Sequence, residues 1–270
     1  DSDNVLTWRS IVNRVWHYHF GTGIVDTTND FGKMGGNPTH PELLDWLALE
    51  FRDGGGSLKR LHKTFVLSAT YGQAAADRPS GLATDSGNRL LWRMNRRRLE
   101  AECIRDAVLS LSGMLDQQMG GPSARQFHTS PGVHVTPVVD YKGFDPDELA
   151  NLRRGVYRFV FRTVPDPFMQ ALDCPDASQL AAKRESSSTP LQALALLNNR
   201  FMVRQSEHIA ARLRCDAASL ATQVDLLFKR AYGRTPSVDE AKRVMAYASA
   251  HGLANACRVI INSSEFLFVQ

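Results

Sequence analysis

Thr39-His40-Pro41-Glu42, running into Leu43-Leu44-Asp45-Trp46-Leu47, is the stretch on which the fold reading turns. A threonine three residues ahead of a glutamate is the capping-box pattern, in which each side chain satisfies a free backbone amide at a helix start. The device recurs as Thr189-Pro190-Leu191-Gln192, now with proline at the first helical position, where its missing N–H costs nothing. Asp145-Pro146-Asp147-Glu148 and Ser237-Val238-Asp239-Glu240 are variants of it. Helix starts spread along the whole chain predict a mostly α, multi-helix globular fold.

Outward from these starts, apolar residues keep helical spacing. Ile104, Val108, Leu111 and Leu115 form one stripe, and Leu191, Ala195, Met202, Ile209 and Leu213 form another. Gly120 to Gly143 breaks the pattern with Gly120-Gly121-Pro122, Pro131-Gly132 and Pro137 around the β-branched Val133, Val135, Val138 and Val139. It reads as a long irregular central connection with room for one small β-hairpin. The expected organisation is a single domain over residues 1–270, with two packed helical lobes, 1–119 and 144–270, joined by segment 120–143.

Composition excludes several classes. With 43% hydrophobic and 22% charged residues in 270, the chain has the material for a packed core. No apolar run reaches the ~20 residues of a membrane span, and Asp1-Ser2-Asp3-Asn4 resembles no signal peptide, so an excised or processed fragment is expected. A net charge of +4 made of 32 basic against 28 acidic residues is interleaved rather than polarised, which argues against nucleic acid. The four cysteines, Cys103, Cys174, Cys215 and Cys257, form no C-x-x-C, so zinc knuckles, thioredoxin chemistry and covalent haem lack their motif. Cys103 and Cys257 fall in apolar helical patterns and read as core residues, and an oxidising compartment would permit a Cys215–Cys257 disulfide.

No local motif names a reaction. His17 and His19 lie two apart and point to different sides of a helix, and H-E-x-x-H, G-x-S-x-G, the phosphate-binding loop, the calcium loop and G-x-G-x-x-G are all missing. The densest polar stretch runs from Arg93 to Asp106, where Arg98–Glu102 and Glu102–Arg105 fall at helix-neighbour spacings suited to ion pairs. Arg153-Arg154 with Arg158 and Arg162 poses the same choice between packing and anion binding. Carboxylates distant in sequence can still converge on a cleft without a motif.

Several blocks, in order, resemble one family. Asn13-Arg14-Val15-Trp16 with His19-Phe20-Gly21, Asp30-Phe31-Gly32, His40 to Ala48, Leu58-Lys59-Arg60-Leu61, Asn88 to Trp92, Arg97 to Glu102 with Arg105-Asp106, Thr189 to Asn198 and Asn262 to Leu267 are similar to the planctomycete-specific PSD-one domain. That resemblance implies a C-terminal module of large secreted, hence extracytoplasmic, proteins that carry c-type cytochrome domains upstream. It implies no cofactor in this chain, haem c being expected only in the upstream domains. At Gly54-Gly55-Gly56-Ser57 the chain departs from the family, which has tryptophan before the serine, and a looser loop is expected there.

Arg14, His19, Asp30, His40, Asp45, Arg98, Glu100, Glu102, Arg105 and Asp106 form the candidate polar cluster, with no metal site among them. Three roles follow. The first is an accessory module docking on its own upstream domains or on envelope proteins. The second is an enzyme acting on an extracellular polysaccharide through Asp30, His40, Asp45, Glu100 and Glu102. The third is polyanion binding through Arg96-Arg97-Arg98 and Arg153-Arg154. An ion-pair network that only holds helices together is the alternative to all of them.

Overall fold

The computed structural model describes residues 3–133, 137–179, 183–184 and 186–269. It is mostly α-helical, and it divides into two compact units, residues 1–97 and Arg98–Val269. The division falls at Arg97/Arg98 and not in the 120–143 connection, because α5 (Ala101–Ser112) packs its buried face on helices of the second unit.

In the first unit, α1 (Val5–Phe20), α2 (Pro41–Asp53) and α3 (Leu58–Val66) enclose Val12, Trp16, Phe20, Leu44, Leu47, Leu61 and Phe65. Asn4 caps α1 by accepting from the Thr7 amide at 3.1 Å, and Gly21 ends it at φ 85°, a left-handed turn that glycine enters without strain. The fully buried Asn13 then pins the loop that follows. Its amide donates to Val25 O and its oxygen accepts from Val25 N, both at 2.9 Å. The expected helix over Pro41 is present, but its cap is His40 without a side-chain bond. Thr39 is spent elsewhere, its N–H on Ile24 O at 2.9 Å and its hydroxyl on His40 Nδ1 at 2.9 Å. The Gly54 to Gly56 loop is a closed turn and not a loose one: Gly56 N donates to Phe51 O at 2.9 Å, and Ser57 caps α3. A short helix, α4 (Pro79–Thr84), completes this unit.

The second unit is built on α8 (Arg200–Asp216), against which α5, α7 (Pro190–Asn198), α9 (Leu220–Tyr232) and α11 (Leu253–Ile261) pack. The short α6 (Pro167–Ala171), α10 (Val238–His251) and the short α12 (Ser264–Leu267) complete it. Ile104, Val108 and Leu111 are buried as their spacing predicts, whereas Leu115 lies past Gly113, which ends α5 at φ 80°. The stripe from Leu191 to Leu213 is two helices and not one. Asn199 caps α8 and breaks the chain direction, which leaves Leu191 65% exposed. Capping boxes form at Thr189/Gln192 and at Ser237/Glu240. Asp145 to Glu148 starts no α-helix: Asp145 accepts from the Asp147 amide at 3.0 Å, and only a 3-10 turn, Leu149–Leu152, follows.

The irregular region contains the hairpin, His128–Ser130 paired antiparallel with Val138–Asp140 in the register Thr129 to Val139. Val135 lies outside the described residues. All four cysteines are free, so Cys215 and Cys257 are not bonded; the former is exposed and the latter fully buried. Cys103 is exposed rather than core. Among the described residues no helix is long and apolar enough to cross a membrane.

Candidate functional site

Half of the candidate polar cluster belongs to the first unit, and each member there has a local partner. Arg14 donates to Asn29 Oδ1 at 3.0 Å, Asp30 accepts from Gly32 N at 2.8 Å, His40 meets Thr39, and Asp45 pairs with Arg9. None of these is bonded to another member of the cluster. His19 instead faces His62 across 2.7 Å, Nε2 to Nδ1, with ring centroids 5.0 Å apart, so the two nitrogens aim nearly straight at each other. That is hydrogen-bond geometry and not a chelate. Burial, then His62 and Arg97, hold His19 below the ordinary imidazole range. His62 has no local signature and was invisible in the sequence. Among the described residues no group of three or more His, Cys, Asp and Glu is placed to hold a metal.

The other half lies in the second unit, ahead of and within α5. Arg98 precedes the helix and pairs with Asp173 at 2.6 Å instead of with Glu102. Asp173 also accepts from Ser187 N at 2.7 Å and from Gln192 Nε2 at 2.9 Å. Arg184 grips Glu102 in a two-pronged pair at 2.7 and 3.0 Å and reaches Glu100 at 3.3 Å. Burial works to raise Glu102, but Arg184, a backbone amide and the Cys174 thiol together hold the carboxyl below its usual range. Beside it the Cys174 thiol is pushed up to about 11 by burial and by Glu102, so it stays protonated at neutral pH.

Arg105 is the most deeply buried of the set. Its guanidinium donates to Arg153 O at 2.7 Å and to Asn151 O, and it meets Asp106 at 3.2 Å. Asp106 in turn accepts the Gly155 amide at 2.7 Å. A Cβ on Gly155 would stand 3.0 Å from Glu102 Cβ, so a side chain here would force α5 or the passing chain to give by a few tenths of an ångström. These residues form a closed lattice that ties irregular chain to α5.

Arg105 also lines an open cleft of about 430 Å³ at the N-terminus of α8, within the size range of small-molecule sites. Phe144, Phe168 and Phe201 supply its apolar surface, and Lys142, Arg200 and Asn198 its polar surface. Asp166 is the single carboxylate among the lining residues, and Arg158 neutralises it at 2.7 Å. Gln126 takes the Arg158 Nε–H at 2.7 Å, leaving its own amide N–H groups open. The sequence singled out Arg105 alone of this lining, because the rest comes from irregular chain and a helix start without periodic pattern.

The basic runs are largely committed internally. Arg96 pairs with Asp77 at 3.2 Å and Arg97 donates to Tyr18 O at 2.6 Å. Arg153 donates to the carbonyls of Gln118, Gly120 and Pro122 and stacks on Tyr157 at 4.0 Å from the ring centroid. Arg154 is exposed.

Comparison with known proteins gives one result. The model of the family described as PSD1, protein of unknown function (DUF1553), matches residues 1–248. No curated protein and no solved structure matches the chain.

Proposed function

Because the chain belongs to the PSD1 family, described as protein of unknown function, we propose its role from its own geometry: an accessory module that binds a ligand and does not transform it. The cleft at the start of α8 is its ligand site. Asp166 carries this reading, since hydrolysis of a glycosidic bond needs two carboxylates flanking the bond, and this cleft offers one, already neutralised by Arg158. The engagement of Glu100, Glu102 and Asp106 by Arg184 and by the Gly155 amide supports it further. Placement outside the cytoplasm, within a larger protein with cytochrome domains upstream, is part of the proposal and rests on the sequence resemblance. No nucleic acid enters it, since Arg96, Arg97, Arg98 and Arg153 have internal partners.

NMR of the whole chain with a mixture of neutral and acidic mono- and disaccharides tests this. Expected are shifts confined to Gln126, residues 141–146 and residues 198–201, with the mixture unchanged on chromatography afterwards. Consumption of a sugar that stops in Asp166→Asn or Glu102→Gln would establish an enzyme and overturn the proposal.

A protein-docking role is favoured by a separate observation. On α7, Leu191, Leu194 and Leu197 recur every three residues and are 65%, 55% and 36% exposed, an apolar face on an otherwise well-capped helix. A photo-crosslinker at position 194, used in whole envelopes, should join one defined protein segment. Diffuse or absent cross-links would remove this role.

A further inference from the structure

Resting on the reading of the cleft as a ligand site, we infer that it takes a small hydroxylated ring bearing an oxyanion, an acidic sugar, with Lys142 and Arg200 receiving the anion. The argument begins with charge. Arg200 has no carboxylate partner among the described residues and touches only the carbonyls of Lys142 and Phe144, at 3.2 and 3.4 Å. The Lys142 ammonium makes no hydrogen bond or ion pair there and feels Asp140 only at a distance. Deeper in, Arg105 and Arg158 bring two further guanidinium groups against Asp106 and Asp166 alone. Burial first, and then Arg158, pull Arg105 down to about 10, so its buried guanidinium gains from a further negative charge nearby. An anion held by Lys142 and Arg200 at the cleft would supply one.

Hydrogen-bonding capacity points the same way. The charged groups left open on the lining are donors, the Lys142 ammonium and the remaining N–H groups of Arg200, joined by the Gln126 N–H groups, and these call for an acceptor-rich ligand. The Asn198 amide, likewise without a partner among the described residues, both donates and accepts, as a ring hydroxyl requires. Phe168 and Phe201, tilted at 47° with centroids 6.1 Å apart, offer the apolar surface against which a sugar ring packs. The volume of about 430 Å³ accommodates one or two such rings.

Titration calorimetry on the full chain compares four probes: galacturonate, its methyl ester, galactose and galactose 6-sulfate. Galacturonate and the sulfate are expected to bind, with the ester and galactose about tenfold weaker and the affinity falling as salt is raised. Carboxylate and sulfate sources separate by which of the two binds more tightly. Lys142→Ala, at an exposed position, should weaken galacturonate about tenfold with an unchanged melting temperature. Equal binding of galactose and galacturonate would overturn the anion assignment while leaving the cleft a sugar site. Absence of heat and of spectral shifts for all four probes would overturn the ligand site itself.

Discussion

The two units solve the same problem by different means. In the first, aromatic rings pack the three long helices, Trp16 stacking on Phe20 at 4.0 Å and Phe65 meeting Trp16 edge-on at 5.3 Å. Charged side chains there serve the backbone only at local turns and a few carbonyls, as where Asp85 takes the Arg89 amide at 3.0 Å. In the second, the chain between α5 and α7 is mostly irregular, and outside the short hairpin and two isolated bridges many of its carbonyls and amides have no ladder of their own. Arginines and carboxylates supply the missing partners, Arg105 for Asn151 and Arg153, Arg153 for Gln118 and Pro122, Asp106 for Gly155. A charged side chain in this family of contacts is therefore a substitute for secondary structure, and its density in sequence signals irregular chain as much as chemistry.

Breaking the comparison at its strongest points gives the largest effects. Phe20→Ala removes a fully buried ring and should cost about 4 kcal/mol of stability by urea unfolding. Hydrogen exchange should then rise over residues 5–66 while α8 to α11 keep their protection. Arg105→Met keeps the volume but strands two carbonyls and a carboxylate, and is expected to cost about 3 kcal/mol in the second unit. A loss under about 0.5 kcal/mol would show that the arginine lattice is ornamental. Asn13→Ala, which deletes both bonds to Val25, should cost about 2 kcal/mol in the first unit, read by the same unfolding curve.

Acid should separate the units by the pH at which each weakens. His19 sits below its unfolded value, so the unfolded chain binds the proton more readily, and the first unit loses stability as pH falls below about 6.5. Asp147 is held down to about 2, chiefly by hydrogen bonding to Arg204 and then by His208. Its contribution is complete above the unfolded value near pH ~4 and is lost as pH falls through about 2. Hydrogen exchange followed from pH 7 to pH 2 should show residues 17–21 and 58–66 loosening before residues 142–147. Simultaneous loosening, or the reverse order, would break the comparison.

What could be read in advance follows the same divide. Thr189 and Ser237 announced their helices because a capping box depends on four neighbouring residues only. Thr39 did not cap, since a residue distant in sequence, Ile24, took its amide, and no local pattern reports such a competitor. Helix spacing paired Arg98 and Arg105 with Glu102. The actual partners, Asp173, Asn151 and Arg184, lie 46 to 82 residues away in sequence. The cleft was illegible for that reason: Lys142, Asp166 and Arg200 meet only once irregular chain has been folded over α8.

The central claim, that the arginines of the second unit stand in for secondary structure, is tested most directly by amide hydrogen exchange in Arg105→Met. The account predicts faster exchange across residues 141–158, with residues 5–66 unchanged. Unchanged exchange across 141–158 would contradict it.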